Sequence, residues 1–300
     1  MAKKNEEVST VRRAKHGGIL TVIFAILSFL WIAPILIVFL NSFKRKAFIF
    51  THPFSLSCYS ITEGWDKFKA GITRAFCGWL NYSNGIRKTS LWECFGTSLF
   101  ITIGSVALII LCCSMCAWYI TRVHTKVTKT IYVLCLFSMI VPFQMVMFTL
   151  SKFANILHLS NPLGIIIVYL GFGAGLAVFM FTGFVKGISL EIEEAAMIDG
   201  CSPLQTFFKV VFPILKPTTV TVAILEAMWV WNDYLLPYLV LSSKYRTIPI
   251  AVQYLKQSHG QIDWGAMMAV LVLAILPIII FYIACQKYII EGVLAGAVKG

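Results

Sequence analysis

EAAMIDGCSPLQTFFKVVFP, residues 194–213, is a polar, helix-forming stretch set between long apolar runs. Its residues specify an elbow. Just upstream, Ser189 is a candidate N-cap, which puts Glu191 and Glu194 near the positive end of a short helix. Ala195 and Ala196 favour that helix strongly. Gly200, after Asp199, supplies the left-handed stop that glycine adopts without strain. Ser202-Pro203-Leu204-Gln205 then restarts a helix, with Ser at the N-cap, Pro at the first position and Gln at the third, the pattern of a capping box. Leu204, Phe207, Phe208 and Val211 follow at i, i+3, i+4 and i+7 and predict one apolar stripe, which Pro213 ends. Such a helix–glycine–helix elbow needs something to dock on at the water side of a membrane. An amphipathic helix lying on lipid headgroups, or packed on its own bundle, is the competing reading. An anionic lipid surface repels Glu193, Glu194 and Asp199, which favours a protein socket.

Outside this stretch the chain reads as membrane. It is 59% hydrophobic and only 13% charged, whereas a soluble domain carries roughly 25% charged residues. A helix needs about 20 apolar residues to cross about 30 Å of hydrocarbon. Six runs qualify: Gly18–Leu40, Phe95–Thr121, Thr130–Ser151, Pro162–Lys186, Thr218–Leu241 and Gly265–Tyr288. The first is too long for the core of a signal peptide and no small-residue cleavage site follows it, so it reads as a retained anchor. The expected fold is therefore an all-α polytopic membrane protein with six transmembrane helices in one domain, 18–290. An N-terminal tail, 1–17, precedes it and a C-terminal tail, 291–300, follows. Residues 41–94 form the one sizeable external loop, and 187–217 form the cytoplasmic loop that holds the elbow.

Orientation rests on few charges. With the N-terminus inside, Lys and Arg divide 13 to 12 between the cytoplasmic and external faces. The external excess sits in the long 41–95 segment, which counts less toward topology. Lys3, Lys4, Arg12, Arg13 and Lys15, just before the first span, tip both termini and the elbow to the cytoplasm. The +12 net charge does not point to nucleic acid, because no basic helix carries interleaved aromatics. Juxtamembrane cations facing lipid phosphates account for it.

The elbow resembles the loop by which permease subunits of binding-protein-dependent ABC importers grip their ATPase, Glu-Ala-Ala-x-x-x-Gly-x9-Ile-x-Leu-Pro. Val210 and Phe212 stand where that pattern has Ile and Leu, both apolar replacements. Further fragments resemble the sugar-importer branch: Asn41-Ser42-Phe43-Lys44, Pro142-x-Gln144, Asn161-Pro162-Leu163-Gly164, Trp231-Asn232-Asp233-Tyr234 and the tail Gly296–Gly300. Together they resemble the smaller, maltose-type permease family over nearly the whole chain. The resemblance implies a type I ABC importer permease fold with cytoplasmic coupling helices. It implies as partners a second permease in a heterodimer, two cytoplasmic ATPases and an extracytoplasmic sugar-binding protein. Glu194, Ala195, Ala196, Asp199, Gly200, Phe207, Phe208 and Pro213 are then the ATPase-coupling residues. The chain has no Gly-x4-Gly-Lys-Ser/Thr, so ATP and Mg would be bound by another chain and no cofactor is expected here.

The fifth span is the most polar. At 100° per residue, Glu226, Trp229, Val230, Asp233 and Pro237 share one face, with Asn232 at its border. Carboxylates accept sugar hydroxyl protons and an aromatic plane covers the C–H face of a sugar. Glu226, Trp229, Asn232 and Asp233 are therefore substrate-path candidates, with Gln144 a weaker one. Interface-belt aromatics and interhelical hydrogen bonding are the structural alternatives for these residues. The polar tip Gln257-Ser258-His259-Gly260 is a candidate contact for the binding protein, on the resemblance, with an ordinary solvated turn as its alternative.

Other motifs resolve to packing. Gly171-Phe172-Gly173-Ala174-Gly175 lies inside an apolar run and reads as close helix packing, not a nucleotide loop. Cys113-x-x-Cys116 has no second ligand pair, so no metal site is expected. Cys58 and Cys77 share the external loop, where the compartment permits a disulfide. The five histidines are scattered without a nucleophile motif, which argues against an enzyme. The rival reading from another class is an ion-coupled secondary transporter using Glu226. It predicts an internal repeat, and none is visible.

Overall fold

A computed structural model describes residues 17–257 and 262–297. These residues form α1 (Gly17–Ser42), α2 (Lys46–Thr51), α3 (Trp65–Ala75), α4 (Leu80–Thr89), α5 (Leu91–Arg122), α6 (Lys126–Ile140), α7 (Phe143–Ile156) and α8 (Pro162–Val185). There follow α9 (Leu190–Ile198), α10 (Pro203–Thr206), α11 (Phe212–Ile214), α12 (Lys216–Asn232), α13 (Leu235–Val240), α14 (Ile248–Gln257) and α15 (Trp264–Ala297). Among them α1, α5, α8 and α15 are each long and apolar enough to cross a membrane, and counting α6 with α7, and α12 with the bent helices before it, as one span each gives up to six. At 1.5 Å per residue the 32 residues of α5 extend about 48 Å, well beyond the hydrocarbon.

Two expected spans are broken. The third turns through 109° between α6 and α7. Val141 and Pro142 are both extended there, because the residue before a proline is pushed out of the helical region. The fifth stops at Asn232. Asp233 is extended (φ −72°, ψ 124°), and its Oδ1 accepts the N–H groups of Leu235 and Leu236, so the side chain starts α13 in place of the helix ladder. The single face expected to run from Glu226 to Pro237 therefore does not continue past Asn232. At the other end of the chain, α15 runs on to Ala297 as helix, past the expected end at Tyr288.

Helix α8 is the central strut, packed on α5, α6 and α12. Its start follows from sequence: Asn161 Oδ1 accepts the Leu163 and Gly164 N–H groups, and Pro162 fills the first position. Its small residues allow the close approach. A Cβ on Gly173 would lie 2.6 Å from Ile109 Cδ1 and 2.9 Å from Glu226 Oε2. The glycine run thus serves packing at this position, whereas Gly171 faces open space. Helix α1 lies outside the bundle with its apolar side chains exposed, antiparallel to α15, where Ile35–Phe39 lie along Val272–Ile279. By this alternation, the start of α1 and the end of α15 share the end of the molecule that carries α9 and α10.

The 41–94 segment at the opposite end is built of helices α2, α3 and α4 and is tied to the end of α1. Asn81 Nδ2 donates to the Ser42 and Lys44 carbonyls, and the Ser42 and Tyr82 hydroxyls lie 2.8 Å apart. The Lys44 ammonium is buried, donating to Asn41 Oδ1 and the His52 carbonyl, and burial pulls its pKa below the ordinary lysine value. Cys58 and Cys77 are both free thiols.

Candidate functional site

The elbow forms as its residues dictate, with differences in detail. Helix α9 ends in a Schellman turn. Gly200 sits at φ +87°, its N–H bonds the Met197 carbonyl, and the Cys201 N–H bonds the Ala196 carbonyl. Ser202 and Gln205 close the capping box in both directions. Ser189 takes the extended N-cap conformation but makes no side-chain cap bond. After α10 the chain widens into one π-helical turn, Phe207–Val211. Such turns frequently mark functional sites. Pro213 does not end the element. It lies within α11, and the turn into α12 comes at Leu215, where the axis bends by 77°.

The apolar stripe splits in two. Phe207 and Val211 are buried, together with Leu215, in a core of Ile109, Cys113, Phe181 and Val185, and Trp118 packs on Phe207 at 5.5 Å. Leu204 and Phe208 point out, 58% and 46% exposed, beside Ile198 at 85%. Exposed Glu194, Ala195, Asp199 and Gly200 complete the same surface, and Ala196 is half-buried beneath it. One half of the stripe fixes the elbow and the other half is left free to be covered.

A rivet that sequence reasoning did not find holds the elbow to the bundle. Glu193, expected among the outward carboxylates, is only 1% exposed. Its Oε1 accepts from Arg122 Nε (3.0 Å) and Nη2 (2.6 Å), and its Oε2 accepts from Trp118 Nε1 at 2.9 Å. Arg122 Nη2 also donates to the Ile188 carbonyl, past the end of α8. One carboxylate thus joins the end of α5, the end of α8 and the first turn of α9. The only sequence signal was an acid in a first helical turn, 71 residues from its partner.

The path candidates separate. Glu226 is 1% exposed, and neither carboxylate oxygen has a hydrogen-bond partner among the described residues. Asp233 is already engaged: Tyr169 OH donates to its Oδ2 at 3.1 Å while its Oδ1 caps α13. Trp229 stands edge-on to Tyr169 at 5.4 Å and is 40% exposed. Asn232 is exposed and donates to the Met228 carbonyl, and Gln144 is exposed in the first turn of α7. Both helix breaks meet in one cluster, where Phe143, after the first, packs with Tyr169, Val230 and Leu236 around the second. Ser151 Oγ donates to the Leu239 carbonyl and ties α7 to α13. Trp229, Asn232 and Gln144 are therefore the path candidates with free surface. Of the outer tip, Gln257 ends α14, and Ser258, His259 and Gly260 lie outside the described residues.

A bundle with four unbroken and two broken spans, and an elbow clamped to one end with an uncovered apolar half, defines a multi-pass membrane protein of the importer-permease class. Residues 109–294 match the family of binding-protein-dependent transport system inner membrane components. The chain belongs to this family of ABC importer permeases. It is 37% identical over 94% of its length to the probable starch degradation products transport system permease protein of Thermoanaerobacterium thermosulfurigenes, covering 96% of that protein. It is 32% identical to the multiple sugar-binding transport system permease protein of Streptococcus mutans, covering 94% of each chain. It is 30% identical to the melibiose/raffinose/stachyose import permease protein of Bacillus subtilis, over 96% of this chain and 99% of that one. Among solved structures, a bacterial ABC transporter involved in import of the acidic polysaccharide alginate has a chain that superposes with a TM-score of 0.70. That match has 21% identity and covers 96% of this chain and 99% of the other, and it places this chain in the type I permease fold.

Proposed function

We propose that this chain is one permease subunit of an ABC importer that carries a carbohydrate, in the oligosaccharide class, into the cytoplasm. The observation that carries the reading is the elbow: preformed, riveted through Glu193 and Arg122, and exposing Ile198, Leu204 and Phe208 on one apolar face. In this reading Glu194, Asp199, Gly200 and Phe208 sit in a socket on a cytoplasmic ATPase, which binds ATP and Mg. A second permease completes the path, and an extracytoplasmic sugar-binding protein delivers the substrate. Both termini are cytoplasmic, on the elbow's side. A rigid elbow clamped to α5 and α8 can carry ATPase closure into the spans as a rigid-body motion.

The carbohydrate class is supported by the sugar-transport roles for which the relatives are named and by the region where the two broken spans meet. Discontinuous helices are a recurrent way to build substrate sites inside a membrane. Trp229 there offers an aromatic face, and Asn232 and Gln144 offer hydrogen-bonding amides.

The test is co-purification in mild detergent followed by sugar-stimulated ATP hydrolysis. Stimulation by a loaded binding protein, abolished by Glu194→Lys at equal membrane abundance, is the expected result. Sugar uptake that persists without any ATPase subunit overturns it. The ion-coupled alternative keeps one observation in its favour, the unpartnered buried carboxyl of Glu226. It predicts uptake that collapses with the proton gradient and in Glu226→Gln, and the importer reading predicts neither.

A further inference from the structure

The end of the bundle that carries the elbow holds a second feature, a cavity of ≈ 640 Å³ between the end of α5, the first turns of α6 and the end of α8. Its walls are cationic. Lys126, Lys129 and Lys186 line it with His124, and Arg122 closes one side. No acid lines it. Arg122 is committed to Glu193, but the three lysines are exposed and take part in no ion pair among the described residues. Three ammonium groups around one concavity repel one another, an arrangement that invites an anion.

A second observation points the same way. Thr182, on the wall contributed by α8, is 2% exposed, and its hydroxyl has no hydrogen-bond partner among the described residues. The neighbouring threonines are satisfied internally: Thr121 donates to the Ala117 carbonyl and Thr128 to that of Val123. Of the buried threonines that line the cavity, Thr182 is the one whose hydroxyl has no partner among the described residues, and a buried hydroxyl left unpaired costs about 1–3 kcal/mol.

What lies beyond the cavity decides the ligand. Along α6, beyond the lysines, Val133, Leu134, Phe137 and Ile140 are all strongly exposed. From Lys129 to Phe137 the helix rises about 12 Å, so the cationic crown caps an apolar surface one acyl-chain segment deep. A phosphate seated among the lysines would have hydrocarbon directly beneath it.

We propose that this cavity binds the phosphate of an anionic phospholipid headgroup, with Lys126, Lys129 and Lys186 pairing its charge, Thr182 donating to it, and the acyl chains lying along the exposed face of α6. The inference does not depend on which substrate the importer carries.

The test is thermal unfolding of the importer complex, purified in zwitterionic detergent, titrated with short-chain phosphatidylglycerol, short-chain phosphatidylcholine or inorganic phosphate. Wild type should be stabilised by phosphatidylglycerol and not by phosphatidylcholine. Apparent affinity should fall roughly fivefold for each lysine changed to Gln, and Thr182→Val, which keeps the shape, should also weaken it. Equal stabilisation by phosphate alone would assign the site to a free phosphate and overturn the lipid. Equal response to phosphatidylglycerol in wild type and in Lys126→Gln/Lys186→Gln would overturn the site. So would loss of ATPase co-purification in that variant with lipid binding unchanged, because the cavity would then be a protein socket.

Discussion

Replacing Glu193 with Ala removes the acceptor of three hydrogen bonds, two from the Arg122 guanidinium and one from the Trp118 indole. Removing one member of a buried ion pair costs about 3–5 kcal/mol, because the other charge is left uncompensated. Here the cost falls toward the lower end. The Arg122 side chain keeps 19% of its surface in water and still donates to the Ile188 carbonyl. About 3 kcal/mol in a chain of this size corresponds to a melting-point loss on the order of 6 °C. Glu193→Gln keeps the shape and one acceptor oxygen while losing the charge, so roughly half that loss is expected. The pair also predicts non-additivity: a double-mutant cycle with Arg122→Met should return a coupling of about 1–3 kcal/mol. The assay is thermal unfolding of the purified complex in one detergent, with sugar uptake measured at matched membrane abundance. Because the pair is buried, raising the salt should change the result little. If Glu193→Ala melts within a degree of wild type, or if the two substitutions simply add, the clamp is not what holds the elbow.

Gly200→Ala meets open space but must adopt φ +87°, so it should destabilise the elbow by about 1–2 kcal/mol. Gly200→Val should do more and uncouple ATP hydrolysis from uptake, and normal uptake by the valine variant would count against the elbow as the coupling element. Trp229→Ala should raise the substrate concentration for half-maximal uptake while Asp233→Asn changes mainly stability, since Asp233 already serves Tyr169 and α13. Unchanged uptake kinetics in Trp229→Ala would move the sugar path elsewhere. At the opposite end of the molecule Lys88 pairs with Asp263. Burial raises the Asp263 pKa, but the hydrogen bonds from Lys88 and the Ala266 N–H and the nearby positive charge outweigh this and hold it below its ordinary 3.8. A depressed carboxyl adds stability above its ordinary value and loses it as pH falls through the folded value. Acidification below about pH 4 should therefore loosen the α4–α15 contact by less than about 1 kcal/mol, the pair being partly exposed. Asp263→Asn should flatten that dependence, as melting curves against pH would show.

The local chemistry of the elbow was legible residue by residue. The glycine stop, the Ser202–Gln205 capping box and the Pro203 start are contacts among residues within six positions of one another, and propensity and spacing determine them. The existence of the spans followed equally from apolar length, because a bilayer imposes one requirement that any sequence must meet alone. Continuity of the spans was less legible. Pro142 marks the first break, and the second falls at Asp233, four residues before Pro237, which has no N–H for the Asp233 carbonyl to accept in a continuous helix, while the Asp233 carboxylate accepts the Leu235 and Leu236 N–H groups. What sequence could not give was every property that depends on a distant helix. Periodicity placed Phe207 and Phe208 in one stripe, and only the position of Trp118 and Val185 decided that one is core and the other surface. An acid on a first turn reads as solvated until an arginine 71 residues away is folded against it, which is how Glu193 became a clamp. Glu226 shared a face with Trp229 on the helical wheel, yet close approach at Gly173 buried it. Burial and ion pairing are sums over neighbours in space, and those neighbours exist only once the bundle has closed.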